Sequence, residues 1–207
     1  MYIPPAFAIG ELPSLHAAIR QSRLANVITA TAEGLMASPL PLLLDPSEGD
    51  YGVLYGHLAR ANRQWTAAPN GEALAVFMGP DAYVTPAWYQ AKRETGKVVP
   101  TWNYVTVHAY GEIEFFDDEV RLLDIVTRLT NAHEGKREAP WAVSDAPAPF
   151  IQSQLRGIVG LRMPISRLQG KRKLSQNRSA EDQARVAAEL GASRDAADRA
   201  LAKLMRE

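Results

Sequence analysis

Two arginines follow a predicted strand closely enough to form a phosphate site. Residues 54–65 read Leu-Tyr-Gly-His-Leu-Ala-Arg-Ala-Asn-Arg-Gln-Trp, which predicts a strand ending at His57 and a helix over Ala59–Ala67. The free N–H groups of a helix start attract anions, and Arg60 and Arg63 would add charge-assisted hydrogen bonds. The same spacing suits a surface turn with solvated arginines, and taken alone His57 is more typical of a structural, hydrogen-bonded imidazole.

Two aromatic segments have the side chains needed to receive a flat ligand. Residues 77–89 are predicted to turn at Gly79-Pro80-Asp81 and carry three large rings, those of Tyr83, Trp88 and Tyr89. Such rings stack on heterocycles, but they also fill cores and subunit interfaces. Residues 98–108 place Trp102 at the entrance of a long strand, where an indole beside polar groups suits a ring with polar edges or anchors a loop.

A basic run forms the fourth segment of interest. Residues 170–178 read Gly-Lys-Arg-Lys-Leu-Ser-Gln-Asn-Arg, and they fit a phosphate, a DNA backbone or a solvated loop. The whole chain is neutral, with 23 basic and 23 acidic side chains, but residues 1–160 have a net charge of −5 and residues 161–207 a net charge of +5. This distribution excludes a uniformly basic nucleic-acid binder and leaves the basic end as a candidate for an anionic partner.

Several kinds of chemistry are excluded or lack support. The chain has no cysteine, so disulfides, thiolate nucleophiles and Cys-ligated metals are ruled out. Its four histidines are too scattered for a predicted metal site, and the common hydrolase, nucleotide-binding and zinc-protease motifs do not occur. Catalytic residues are therefore unknown, and any redox chemistry is expected to come from a bound cofactor. With no long apolar run and no signal-peptide pattern, the chain is predicted to be cytoplasmic, without a membrane partner.

The hydrophobic pattern predicts one α+β domain. Alternating or β-branched runs predict strands over residues 24–31, 35–44, 53–58, 73–78, 104–116 and 158–168. Pro39 and Pro41 place the second of these at a sheet edge or in a bulge, because proline cannot donate to a ladder. Helices are predicted over residues 13–21, 118–133 and 179–205, the last starting at a Ser179 N-cap and divided at Gly191.

The motifs, in this order, resemble the PaiB family, also described as FMN-binding negative transcriptional regulators. The resemblance covers essentially the whole chain. The segments that carry it are Met1-Tyr-Ile-Pro4, residues 55–62, 77–83 and 99–104 with His108, Leu129-Thr130 with His133-Glu134, Gly170-Lys171 and residues 173–178. One position departs from the pattern: Pro39 stands where family members commonly have a histidine, which puts any role of that imidazole in doubt.

The resemblance implies a split β-barrel similar to pyridoxamine-phosphate oxidases and small flavin reductases. It implies one FMN-binding domain over residues 1–207, with 179–207 as a helical extension. It also implies a homodimer with FMN in the cleft between subunits, and repression of transcription through DNA contacts of the basic C-terminal region. Two alternatives stay open on the same fold: an FMN-dependent oxidoreductase of flavin-reductase type and a haem-binding split-barrel protein.

Carried over by position, the resemblance also implies twelve cofactor-binding residues in four groups. The first group would lie beside the flavin and ribityl chain, and the second would grip the 5′-phosphate. The third would approach from the interface, and the fourth would close the site. In that order they are Tyr55, Gly56 and His57; Arg60 and Asn62; Trp102, Asn103 and Tyr104; and Lys173, Ser175, Gln176 and Asn177.

Overall fold

The computed structural model describes residues 1–206, which form ten strands and six α-helices. The strands are β1 Ala8–Ile9, β2 Ala25–Thr31, β3 Gly34–Leu40, β4 Leu43–Asp45, β5 Val53–Ala59, β6 Ala73–Val84, β7 Thr101–Gly111, β8 Glu114–Phe116, β9 Ile158–Pro164 and β10 Arg167–Lys173. The helices are α1 Leu12–Gln21, α2 Gln90–Glu94, α3 Glu119–Glu134, α4 Ala148–Leu155, α5 Ala180–Ala192 and α6 Ala196–Leu204. Among the helices of this described part, none has both the length and the apolar composition needed to cross a bilayer.

The chain forms two compact units. Unit 1 comprises residues 1–18 and 78–107 and the chain from 169 onward, and unit 2 comprises residues 19–77 and 108–168. Strands β6 and β7 each begin in one unit and end in the other.

Unit 2 consists of antiparallel strands around an aliphatic core, with α3 packed on β5. In it β2 pairs with β3 and with the first part of β6, while β4, β5, β9 and β8 are neighbours in that order. The buried core residues are Val27, Leu40, Leu58, Val159 and Leu161. The edge prediction is confirmed: β3 is the last strand of its sheet and contains Pro39, and it ends at Leu40, before Pro41.

Unit 1 joins strands β1, β10, β7 and β6 to the two C-terminal helices. Its buried cluster brings Val105 of β7 and Tyr89 together with Val186 and Leu190 of α5 and Leu201 of α6. The predicted N-cap is confirmed, since the Ser179 hydroxyl accepts a hydrogen bond from the Asp182 N–H at 3.2 Å.

Several local predictions were wrong. The predicted strands 35–44, 104–116 and 158–168 are each divided into two strands that belong to different sheets: β3 and β4, β7 and β8, and β9 and β10. No helix covers residues 59–67, because β5 continues to Ala59 and only a 3₁₀ turn, Arg63–Trp65, follows. The predicted turn at Gly79 lies inside β6, where a Cβ would come within 3.1 Å of the Val105 Cβ, so the glycine permits close strand approach. The C-terminal helices divide after Ala192, not at Gly191, because Asp195 caps the start of α6.

A similar close approach in unit 2 gives a stability test. A Cβ on Gly111 would overlap the carbonyl oxygen of Pro164, so Gly111→Ala must displace β7 from the end of β9. We expect this variant to lower the free energy of unfolding by about 2–4 kcal/mol, measured by urea denaturation. Gly10→Ala is the matched control, since its Cβ would meet nothing within 4 Å. Equal stability of the two variants would contradict the packing of β7 on β9.

Candidate functional site

The residues predicted from β5 lie against helix α3 of the same unit. Side chains alternate along a strand, so Tyr55 and His57 share one face, and Leu54 and Leu58 are buried on the other. Tyr55 lines a cavity of about 400 Å³ and His57 one of about 340 Å³, both against residues of α3. A Cβ on Gly56, between them, would lie 2.6 Å from the end of the Leu42 side chain and 3.1 Å from the Pro41 carbonyl oxygen, so a larger residue would require these neighbours to shift.

The Tyr55 hydroxyl is fully engaged within unit 2. It donates to the Glu48 carboxylate at 2.8 Å and accepts a hydrogen bond from the Arg162 Nε at 3.2 Å. Arg162 and Glu48 also form an ion pair at 3.4 Å. Burial is the main cause that raises the pKa of Tyr55, so the phenol stays protonated. Tyr55 therefore stabilises this part of unit 2 through its own partners.

The His57 imidazole differs, because its buried Nδ1 has no hydrogen-bond partner among residues 1–206. Burial lowers the pKa of His57, which keeps the ring neutral near pH 7. Its cavity is also lined by His133, Glu134 and the half-exposed Trp141. Two motifs that are far apart in sequence thus meet at one cavity, although no group of three ligands suited to a metal occurs in the described residues.

Arg60 and Asn62 stabilise, through hydrogen bonds, the turn that stands in place of the predicted helix. The Arg60 guanidinium donates to the carbonyl oxygens of Arg156 at 2.8 Å and Ile158 at 3.3 Å, and it pairs with Asp117 at 3.5 Å. Asn62 accepts from the Gln64 N–H at 2.9 Å and donates to the Ser38 hydroxyl at 2.8 Å. Their role as phosphate ligands remains a prediction, and without a helix start it would require these groups to exchange partners.

In unit 1, Asn103 and Ser175 form a buried pair. The Asn103 amide donates to the Ser175 hydroxyl at 2.9 Å, and both residues are at most 3% exposed. Ser175 has φ of +67°, in the left-handed region that non-glycine residues rarely adopt. Gln176 closes the same turn, accepting from the Leu174 N–H and donating to the Arg172 carbonyl oxygen, both at 2.6 Å. These predicted site residues therefore shape the loop after β10.

Lys173 and Lys171 are cations without a carboxylate partner among residues 1–206. The Lys173 ammonium donates to the Thr101 hydroxyl and to the Trp102 carbonyl oxygen. Burial, followed by the charges of Lys171 and Arg178, lowers the pKa of Lys173. The Lys171 ammonium lies 5.2 Å from the Tyr104 ring centroid, in a cation–π contact.

Trp102 presents the largest exposed ring on β7. Its side chain is 54% exposed, and its ring packs edge-on to that of Tyr83 with centroids 5.8 Å apart. By strand alternation Trp102 and Tyr104 share one face of β7, and Thr101 and Asn103 share the other. In the sequence Tyr83 is one member of an aromatic cluster, and no local pattern identifies Trp102 as its neighbour on the adjacent strand.

The structure also locates the basic excess of the C-terminal region. Residues 161–178, which cover β10 and most of β9, hold six basic and no acidic side chains, whereas residues 179–206 hold five of each. Arg162 and Arg167 pair with Glu48 and Glu72. The cations that remain without a carboxylate partner in the described part of this segment are Lys171, Arg172, Lys173 and Arg178.

The neutral state of His57 leads to a pH prediction. Its pKa is below the ordinary 6.5 only in the folded protein, so the unfolded chain binds more protons just below that pH. The free energy of unfolding should therefore fall as the pH drops from about 6.5 through the lowered pKa. His57→Gln should flatten this decline in urea denaturation curves. Burial also lowers the pKa of His108, so some slope should remain. His133→Gln, at an exposed position, is the control, and an unchanged slope in His57→Gln would contradict the prediction.

Comparison with known proteins identifies the family. A family model described as "Putative FMN-binding domain" matches residues 1–167. Over its full length the chain is 29% identical to Protease synthase and sporulation protein PAI 2 of Bacillus subtilis, of which it covers 97%. It is also 34% identical to the uncharacterized protein AN0679 of Emericella nidulans, across 85% of this chain and 84% of that protein.

Solved structures share the fold at low sequence identity. The flavocytochrome Anf3 from Azotobacter vinelandii has a TM-score of 0.59 at 16% identity, covering 86% of this chain and 75% of that one. The FAD and heme binding protein from Mycobacterium smegmatis has a TM-score of 0.58 at 15% identity, covering 86% and 78%. The predicted α+β split β-barrel is thereby confirmed. This chain belongs to the family of FMN-binding-domain proteins, of PaiB type, and its cofactor is FMN.

Proposed function

We propose that the isoalloxazine ring of FMN binds on the Trp102 face of β7 in unit 1, and that the protein acts as an FMN-dependent regulator of PaiB type. The observation that carries the proposal is an exposed indole on the face of β7 that also holds Tyr104, whose ring contacts the ammonium of a cation without a carboxylate partner. Trp102 is 54% exposed, and Lys171, two residues before the end of β10, has no carboxylate partner in residues 1–206.

These residues suit the two chemical parts of FMN. The flat ring system needs an apolar face, which Trp102 and Tyr83 supply together. The phosphate carries negative charge, which the positive potential around Lys171 and Lys173 favours. Bound FMN would supply hydride or electron transfer, while the chain binds and orients it. Tyr104 lies under Lys171 and holds that ammonium in place.

The resemblance also implies cofactor-binding residues outside unit 1. Tyr55, Gly56, His57, Arg60 and Asn62 of unit 2 are proposed as cofactor-binding residues on the resemblance alone, and within residues 1–206 the His57 Nδ1 is a buried atom of this group that has no hydrogen-bond partner. We also propose a cytoplasmic homodimer, and one FMN-binding domain over residues 1–207 with 179–207 as a helical extension. These proposals rest on the resemblance to the PaiB family.

Two tryptophan variants distinguish a flavin ring on the Trp102 face of β7 from a flavin ring in the His57 cavity, which Trp141 lines. Trp102→Leu should raise the Kd for FMN about 5- to 150-fold, because stacking on an aromatic ring contributes ~1–3 kcal/mol. The titration follows the quenching of flavin fluorescence. Trp141→Leu is the matched control, since Trp141 is 46% exposed and lines the His57 cavity. An affinity lost in Trp141→Leu and kept in Trp102→Leu would move the ring to that cavity and overturn the proposal.

The regulatory part of the proposal requires DNA binding through the basic segment 161–178. The similarity to the Bacillus subtilis sporulation protein supports it, as does the lack of acidic residues in this segment. Helices α5 and α6 are unsuited to this role, because their basic and acidic side chains balance over residues 179–206.

Salt dependence tests this DNA contact. Filter binding of a duplex from upstream of the protein's own coding sequence should weaken steeply with salt, by a log–log slope of about −0.9 per phosphate contacted. Arg172→Glu should weaken binding and reduce the slope by about 1–2. Arg199→Glu on α6 is the charge-matched control and should have little effect. Absence of binding at low salt would overturn the regulatory role on this DNA.

A further inference from the structure

A small polar cavity in unit 1 lies on the face of β7 opposite Trp102. It is lined by Thr101 and Asn103 of β7, together with Tyr89, Lys173 and Arg178, and its volume is about 80 Å³. Pockets for whole small molecules measure roughly 300–1,000 Å³. This cavity therefore suits one functional group and excludes a flavin ring.

The charges at the cavity are of one sign. Lys173 and Arg178 both line it, and neither has a carboxylate within ion-pair distance among residues 1–206. Among residues 1–206, no acidic side chain lines it. The repulsion between the two cations, and the desolvation of Lys173, are both relieved if an anion lies between them.

Tyr89 adds an unused hydrogen-bond donor. Its side chain is 1% exposed, and its hydroxyl has no partner in the described part of the chain. A buried hydroxyl without a hydrogen bond is unfavourable, so most such groups have an acceptor. The Arg178 guanidinium lies 4.8 Å from the centroid of the same ring, so cation and phenol are held together.

The cavity wall is fixed before any ligand arrives. The Asn103–Ser175 hydrogen bond holds the left-handed turn after β10, and Gln176 closes that turn through two backbone contacts. The Thr101 hydroxyl and the Trp102 carbonyl oxygen hold the Lys173 ammonium and leave one of its three N–H groups free. A preorganised group of donors binds an anion without a further ordering cost.

We propose that this cavity is a phosphoryl-anion site in which the Lys173 ammonium, the Arg178 guanidinium and the Tyr89 hydroxyl bind phosphate oxygens. Two sources share this chemistry: free orthophosphate, and the 5′-phosphate of FMN. Only the second source rests on the proposed function, because it requires the flavin to bind unit 1.

The experiment measures the melting temperature of the full chain against orthophosphate concentration, with chloride at matched ionic strength as the reference. Phosphate should raise the melting temperature of the wild type saturably. Lys173→Met should raise the apparent Kd at least about tenfold, and Tyr89→Phe about fivefold. Tyr51→Phe, which changes an exposed tyrosine of unit 2 that does not line the cavity, should leave the Kd unchanged.

Tyr89→Phe keeps the test valid if Lys173→Met does not fold. It removes only a hydroxyl that lacks a partner, so without phosphate its melting temperature should equal or exceed that of the wild type. The proposal is overturned if phosphate acts no differently from chloride. It is also overturned if Tyr89→Phe responds to phosphate as the wild type does.

Flavin competition identifies the source of the phosphate. If FMN abolishes the phosphate response and riboflavin does not, the cavity holds the cofactor's own phosphate. If neither flavin changes the response, free phosphate is the ligand, and the site stands even where the proposed flavin position fails. Trp102→Leu separates the two proposals, because it should weaken FMN binding and leave the response to orthophosphate intact.

Discussion

A buried side-chain pair, Asn103 and Ser175, fixes the loop after β10 to the start of β7. Its hydrogen bond holds Ser175 in a left-handed conformation that is unfavourable for a residue with a Cβ. Because the loop is held there, Lys173 reaches the beginning of β7 and Arg178 packs over Tyr89. The positions of Lys173 and Arg178, and hence the proposed anion site, depend on this one pair.

Uncompensated charge is the second constraint on unit 1. Four cations between Lys171 and Arg178 lack carboxylate partners in residues 1–206, whereas the arginines of unit 2 that face cavities are mostly paired with acidic groups. Folding brings Lys173 close enough to Lys171 and Arg178 for their charges to repel, which is unfavourable unless anions bind. On one face of β7 this positive potential would favour FMN beside the exposed rings. On the other face it would favour a phosphoryl anion in the small cavity.

In unit 2, most polar residues of one family motif stabilise the fold through hydrogen bonds within the chain. Arg60, Asn62 and Tyr55 belong to the motif segment 55–62, yet each has its hydrogen-bonding groups satisfied by the chain itself. Among the polar residues of that motif, His57 is the one with an unpartnered buried atom. In unit 2, a ligand that needs a polar contact can therefore bind His57 and the polar residues that line the same cavity as Trp141. Contact with Arg60 would require its present hydrogen bonds to rearrange.

The sequence alone determined the family, the cofactor class, most strands and the N-cap of α5, because alternation, capping residues and ordered motifs are local signals. It predicted correctly that Pro39 lies in an edge strand. Its helix over Ala59–Ala67 was wrong, because these helix-favouring residues instead end strand β5 and form a turn. Only the tertiary structure decided which polar side chains already have hydrogen-bond partners within the protein. Arg60 meets Arg156 across 96 positions and Asn103 meets Ser175 across 72, and no local pattern reports a hydrogen bond formed by residues so far apart in the chain.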